Sequence, residues 1–348
     1  MSERYLFPVL VSGPGNMYVG FREAVIIAAH TGRTIVLPHF VVHGTVRHAS
    51  RRTTFPFAET FDVQALRRHV RCVEYEALGP RPERVHHIRK RDTPGQRMVQ
   101  RYMGYVEPAY DVRLRALPEA WLSTRYLQSD ADFDELRVID DEVLCVAGIF
   151  NTVKLSRCLT NHCVRCAPHP AFEAEYDEIC RHTERAPEVR ARARAFIERH
   201  YGDRPFLAFH LRTFDRVGDG DDFATAYPLG VSEAAVHEAL LRWAGECRIA
   251  PEDVFVAMPP AALRIRDLDH FRRAITYTPD DDLEPYFASL VEQEICCQAA
   301  AFVRSVTNKA RPVEHDRSSW GACVDEHRRW HAGTKHDRSI DALVTPGA

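Results

Sequence analysis

The opening stretch, Tyr5 to Leu37, sets the architecture of this chain. Tyr5 to Ser12, YLFPVLVS, is a short apolar run rich in branched residues and closed by Gly13, Pro14 and Gly15, the pattern of a strand ending in a turn. Phe21, Ala24, Val25, Ala28 and Ala29 then recur at three- and four-residue spacing and stop at Thr31-Gly32, which predicts a helix. Thr34 to Leu37, TIVL, reads as a second strand before Pro38. Strand, turn, helix, strand is a βαβ unit, and its right-handed crossover sets the two strands parallel. A parallel sheet is covered on both faces, so the chain is committed to an α/β fold.

Further strands and helices alternate along the rest of the sequence. Val143 to Phe150, Phe206 to Phe209, Val254 to Met258 and Ala301 to Ser305 are apolar runs of buried-strand length, and Trp121 to Leu127 and Ile275 to Thr278 are weaker ones. Helices are predicted over Phe172 to Cys180, over Pro187 to Tyr201 with Val189, Ala193, Phe196 and Ile197 on one face, and over Leu283 to Ala300. Ser232 caps another, with acidic support in its first turn, and Ser318 opens the last. For 348 residues this predicts two α/β domains, 1–185 and 186–348, with the Arg- and Ala-rich stretch Thr183 to Arg194 as a hinge helix. The segment Arg81 to Asp92, RPERVHHIRKRD, is the most basic and reads as a solvated loop or helix face, with contact to an acidic acceptor as the alternative.

Composition excludes several classes. Forty-six Lys and Arg against 49 Asp and Glu give a net charge of -3, so no general binding to nucleic acid is expected and any phosphate recognition is local. No apolar stretch approaches the ~20 residues of a membrane span, and MSERYLFPVLVSGPGN lacks the parts of a signal peptide, so the chain as given reads as cytoplasmic. Cys158, Cys163, Cys166 and His169 are closely spaced, but only Cys163 and Cys166 form a zinc hook, which favours disulfides or thiols over metal. The aspartates of DRVGDGDDF, Asp215 to Phe223, do not fit an EF-hand and read as a mobile loop over a site.

The chemistry concentrates in PFLAFHLRTFD, Pro205 to Asp215, where an apolar strand ends in His210, Arg212 and Asp215. Ligands of open α/β sheets bind beyond the carboxyl ends of the strands. Arg212 is the candidate anion clamp, because a guanidinium keeps its charge and presents a planar fork to phosphate oxygens; the alternative is an ion pair with Asp215. The turn GPGNMYVG lies at the same edge of the first βαβ unit but matches neither the dinucleotide fingerprint nor a P-loop. Tight turning and close ligand approach both remain open for its glycines.

Three segments together resemble the GDP-fucose protein O-fucosyltransferase family: SGPGNMYVGFREAVIIAAHTGRTIVLPHF, then AFHLRTFD with its His-x-Arg, then SLVEQEICCQAAAFVRS followed by SSWGAC. They run end to end in the family's order, while Val41 to Val143 matches none of its motifs. The resemblance implies a GT-B fold, two Rossmann-like domains facing across a cleft, with GDP-fucose held mainly by the second and the acceptor by the first. It implies that Arg212 binds the β-phosphate and stabilises leaving GDP, with His210 beside it on the nucleotide. Gly13, Gly15 and Asn16 then form the turn facing fucose and acceptor. Some members carry a glutamate base where this chain has Asn16, and asparagine takes up no proton. The base is then another carboxylate, with Glu23 the fallback unless it is solvated, or the reaction is dissociative and needs little base. Glu292 replaces an aspartate that binds the guanine or ribose in relatives, and Ser318 and Ser319 fall where hydroxyls and helix-start N–H groups hold phosphate. Family transfer needs no metal, Arg212 standing in for Mg²⁺, so no cofactor is expected beyond the donor GDP-fucose. Two departures are Ala257-Met258, where the family has Thr-Asp, and an insertion after Ser305.

The implied activity is inverting, metal-independent transfer of fucose to a protein Ser/Thr or glycan hydroxyl. The alternative is a catalytically degenerate GT-B protein that binds nucleotide-sugar or glycan without turnover. Relatives work in the secretory pathway, so the ER or Golgi lumen is expected if this is a trimmed mature form.

Overall fold

The computed structural model describes residues 3–10, 14–42, 50–79, 81–88, 104, 107, 110, 115–122, 127, 129–149, 152–153, 172–213, 220–280, 282–306, 319–333 and 335–344. The chain divides into two compact units, Met1–Ala186 and Pro187–Ala348.

In the first unit β1 (Tyr5–Val9) leads into α1 (Pro14–His30) and the chain returns as β2 (Thr34–Leu37), parallel to β1 as expected. β3 (Phe40–Val41) and β4 (Thr54–Phe55) form a small antiparallel pair, and α2 (Phe57–Thr60) and α3 (Val63–Arg67) follow. β5 (Cys72–Glu74), β6 (Arg84–Ile88), β7 (Arg115–Leu122), α4 (Asp134–Arg137), β8 (Val143–Ala147) and α5 (Glu173–His182) complete the unit. The sheet is parallel throughout, in the order β5-β2-β1-β8-β6-β7. α1 is buried on almost every side: Tyr18 meets Phe40 and Phe61 at 5.2 and 5.0 Å between ring centroids, and Phe21 meets Phe57 at 4.7 Å. A helix covered all round has no solvent face, which is why its apolar residues form a broad band rather than a stripe.

Several expectations are corrected here. The described part of the basic segment, Arg81 to Ile88, is not a solvated loop or helix face, because it contains β6, with Val85, His86, His87 and Ile88 buried between β8 and β7. The polar groups of Arg84 and His86 find a partner, since both pair with Asp141, the latter at 2.8 Å. The strand anticipated at Trp121 to Leu127 lies earlier, at Arg115–Leu122. α1 begins at Pro14, so most of GPGNMYVG is helix rather than turn. Thr183 to Arg194 is not one hinge helix: Asp62 N–H bonds Glu184 O, Ala186 N–H bonds Thr60 O, and the helix starts only at Pro187.

The second unit runs α6 (Pro187–His200), β9 (Leu207–His210), α7 (Phe223–Ala226), α8 (Glu233–Glu246), β10 (Val254–Ala257), α9 (Pro285–Gln298), β11 (Ala301–Arg304), α10 (Ser319–His331), β12 (Arg338–Ser339) and α11 (Ile340–Val344). Its sheet is parallel, in the order β10-β9-β11-β12. Leu207, Phe209, Val256, Val303, Leu240 and Phe271 meet in its core. Ser232 caps α8 as expected, its hydroxyl accepting from Ala235 N–H at 3.3 Å. The buried Glu233 beside it accepts three backbone N–H bonds, from Asp269, His270 and Phe271. Ile275 forms a single bridge to Phe255 rather than a strand. α10 is not the last helix: β12 and α11 follow, positioned by Arg328, which is 1% exposed and grips Asp337 at 2.8 and 2.9 Å while bonding the carbonyls of Cys296 and Cys297.

Candidate active site

In the second unit the strand ends bring polar groups together. Residue His210 closes β9 in register with Ala257 of β10 and Arg304 of β11, so it is part of the sheet rather than beyond it. Its ring stacks on Trp320, with centroids 4.1 Å apart and planes 19° apart. Trp320 is in the first turn of α10 and donates from Nε1 to Ser289 Oγ on α9 at 3.1 Å. His210 is 7% exposed, and its Nδ1 has no hydrogen-bond partner among the described residues. Burial, and secondarily the Arg212 charge, press its pKa down to about 3, so the ring is neutral at physiological pH.

Two residues further on, the backbone of Arg212 is fixed. Its N–H donates to Ser305 Oγ at 3.1 Å, and that hydroxyl shares a 3.0 Å bond with Tyr227 OH. Ser305 lies just beyond β11, at the carboxyl edge. Glu292, on α9, accepts a hydrogen bond from the backbone N–H of Met258, directly after β10. Desolvation outweighs that bond and pushes its pKa up to about 8. A carboxyl group thus reaches the carboxyl end of β10, beside Ala257-Met258. Ser319 is the first residue of α10, where backbone N–H groups point out of the helix. Ser318 and Asp215 lie outside the described residues, as do Cys158, Cys163, Cys166 and His169.

In the first unit Gly13 lies outside the described residues, while Gly15 and Asn16 sit in the first turn of α1, the glycine buried and the asparagine partly so. α1 is pressed onto the loop after β8: a Cβ on Gly20 would lie 2.5 Å from Ile149 O. Gly148 turns that loop with φ +83°. Glu23 is not solvated. It is 1% exposed and its Oε2 accepts from Thr152 N–H at 2.8 Å, which ties α1 to the same loop. His87, at the carboxyl end of β6, lies against Gly148, where an added Cβ would meet its ring at 3.1 Å. Ser305, Tyr227, Trp320 and His87 were not among the residues expected from sequence. Only Trp320 had a signal there, as the aromatic after the Ser-Ser pair.

Two α/β units, each with a parallel sheet flanked by helices, have the Rossmann-like form of the GT-B fold. A family model described as GDP-fucose protein O-fucosyltransferase matches residues 5–226, and the chain belongs to that family. It is accordingly a GDP-fucose-dependent fucosyltransferase. The match takes in α1 and the His210–Arg212 motif, and ends before Glu292 and Ser319.

A crystal structure of POFUT1 in complex with GDP-fucose is similar in fold, with a TM-score of 0.62 at 15% identity over 97% of each chain. POFUT1 in complex with GDP gives 0.60 at 16% identity, again over 97% of each. The fucosyltransferase NodZ from Bradyrhizobium aligns over 94% of this chain and 93% of its own, with a TM-score of 0.46 at 15% identity. No curated protein sequence matches the chain.

Proposed function

We propose that this enzyme transfers fucose from GDP-fucose to a protein Ser/Thr or glycan hydroxyl with inversion and without a metal ion. In this reading the second unit holds the donor and the first the acceptor. The observation that carries it is Arg212 just past β9, its backbone held by Ser305 and Tyr227. Charge develops on the β-phosphate as GDP leaves, and a positioned guanidinium opposes it in the role a divalent ion fills elsewhere. The N–H groups at the start of α10 supply a second anion contact, and neutral His210 contacts the nucleotide without adding charge. Glu292, holding its proton up to about pH 8, is able to donate as well as accept at the base or ribose.

The acceptor oxygen attacks the anomeric carbon from the face opposite GDP, forming the new C–O bond as the bond to phosphate breaks. Asn16 orients sugar or acceptor by hydrogen bonds and removes no proton, so the hydroxyl proton departs late, to water or to a carboxylate. Glu23, buried and bonded to Thr152, acts here by positioning the α1 turn.

The test is transfer from GDP-fucose to a panel of peptides and glycans in the presence of a chelator. Arg212→Ala is expected to lose on the order of 10²–10³-fold in rate with an unchanged melting curve. An unchanged rate removes the central assignment, and loss of transfer on chelation removes metal independence. Donor binding without transfer to any acceptor returns the protein to the degenerate reading.

A further inference from the structure

The first unit carries a cluster of ligating side chains that the transfer chemistry leaves unused. His69 lies in the turn behind α3, its N–H bonded to Leu66 O at 3.0 Å. α5 ends at His182, one helical turn after Glu178, and i,i+4 spacing puts that carboxylate and imidazole on one face. The two helix ends meet. The rings of His69 and His182 lie side by side with their planes 10° apart. Oε1 of Glu178 is 2.8 Å from Nε2 of His182, and one donor atom from each of the three residues falls within 4.8 Å of the others.

All three residues belong to the wall of a cavity of about 900 Å³, which Val25, Ala29, Arg33 and Arg71 also line. Gly32-Arg33 and Val70-Arg71 directly precede β2 and β5, so this cavity opens at the amino edge of the sheet, opposite the edge from which α1 starts.

We propose that His69, Glu178 and His182 form a binding site for a divalent transition-metal cation of the zinc class. Two imidazoles and a carboxylate are a known zinc donor set, and they leave a fourth position for water or another ligand. Zinc takes such donors at ~2.0–2.2 Å, and His69 and Glu178 are exposed enough to close on an ion by side-chain rotation alone. The scaffold is held without the ion: Thr183 Oγ1 donates to Ile179 O at 2.6 Å and accepts from Arg22 Nε at 3.2 Å, fixing the end of α5 to α1. The role is therefore a clamp between the ends of α3 and α5, separate from the transfer step.

The experiment strips the full chain with a chelator and titrates it with Zn²⁺ by calorimetry and with Co²⁺ by visible absorption. The parent chain is expected to take up one equivalent that His69→Ala and His182→Ala each weaken more than tenfold. Added Zn²⁺ should raise the melting midpoint of the parent and not of the double variant. His327→Ala is the control, since Glu294, Cys297 and His327 form a second ligating group in the other unit, and it should keep the equivalent. Equal stoichiometry in parent and double variant, or loss only in His327→Ala, overturns the proposal. Should an alanine variant fail to fold, Glu178→Gln and His69→Gln give the same reading, because they change the ligand with little change of volume.

Discussion

Replacing Ser305 with alanine tests how the arginine after β9 is held. The hydroxyl is 1% exposed and serves two partners, the Arg212 N–H at 3.1 Å and the Tyr227 OH at 3.0 Å. Tyr227 is fully buried, so its stranded hydroxyl costs ~1–3 kcal/mol, and the lost bond to the partly exposed Arg212 N–H adds ~0.5–1.5 kcal/mol. A destabilisation of about 1.5–4.5 kcal/mol follows, measurable as a lower urea midpoint at unchanged slope. On the proposed role of Arg212 at the donor phosphate, releasing its backbone displaces the guanidinium, and a displacement of ~1 Å is enough to lower transfer by about 10²-fold.

The Tyr227→Phe/Ser305→Ala double variant separates the two effects. It removes the stranded phenol and recovers part of the stability, because deleting both partners of a buried bond is milder than deleting one. It does not restore transfer, since the Arg212 anchor is still absent. A Ser305→Ala protein within ~0.5 kcal/mol of the parent and equal in turnover would refute this account of the site.

Two further outcomes follow from the geometry. Glu292→Gln should flatten the pH dependence of stability: the folded carboxyl keeps its proton up to about pH 8 while the unfolded one releases it near 4.5, so stability falls as pH rises through that window; parallel urea midpoints for parent and variant between those limits contradict the assignment. Gly20→Ala should cost ~1–3 kcal/mol, because its Cβ meets Ile149 O at 2.5 Å, whereas Gly245→Ala, in α8 with nothing within 4 Å, should gain ~0.4–1 kcal/mol; melting the two variants side by side decides it.

The parallel α/β framework was legible because strands covered on both faces are written as uninterrupted apolar runs, as in TIVL and VFVAM. β6 was hidden because its inward residues include two histidines set among arginines, and charge along the chain says nothing about which side chains find a partner such as Asp141. β12 was hidden because two polar residues carry no period; a buried ion pair between Arg328 and Asp337 places it. At the site, Arg212 and His210 could be named because a polar cluster interrupts an apolar run. Ser305 and Tyr227 could not, since their partnership joins positions 78 apart in the chain. The turn before α1 was drawn too long because Gly15 and Asn16 discourage helix in isolation, while the packing of α1 against Ile149 and Thr152 overrides that preference.

The hollow flanked by α1 and α5 has a practical bearing on inhibitor discovery. It is roomy and partly greasy, with Val25, Ile26, Val70 and Ile179 on its wall, and it opens on the far side of the sheet from the turn that starts α1. A fragment screen would find ligands for it on the strength of that wall. With the donor held where we propose, such hits would leave the nucleotide in place, and displacement of GDP rather than affinity is the criterion that would sort substrate mimics from them.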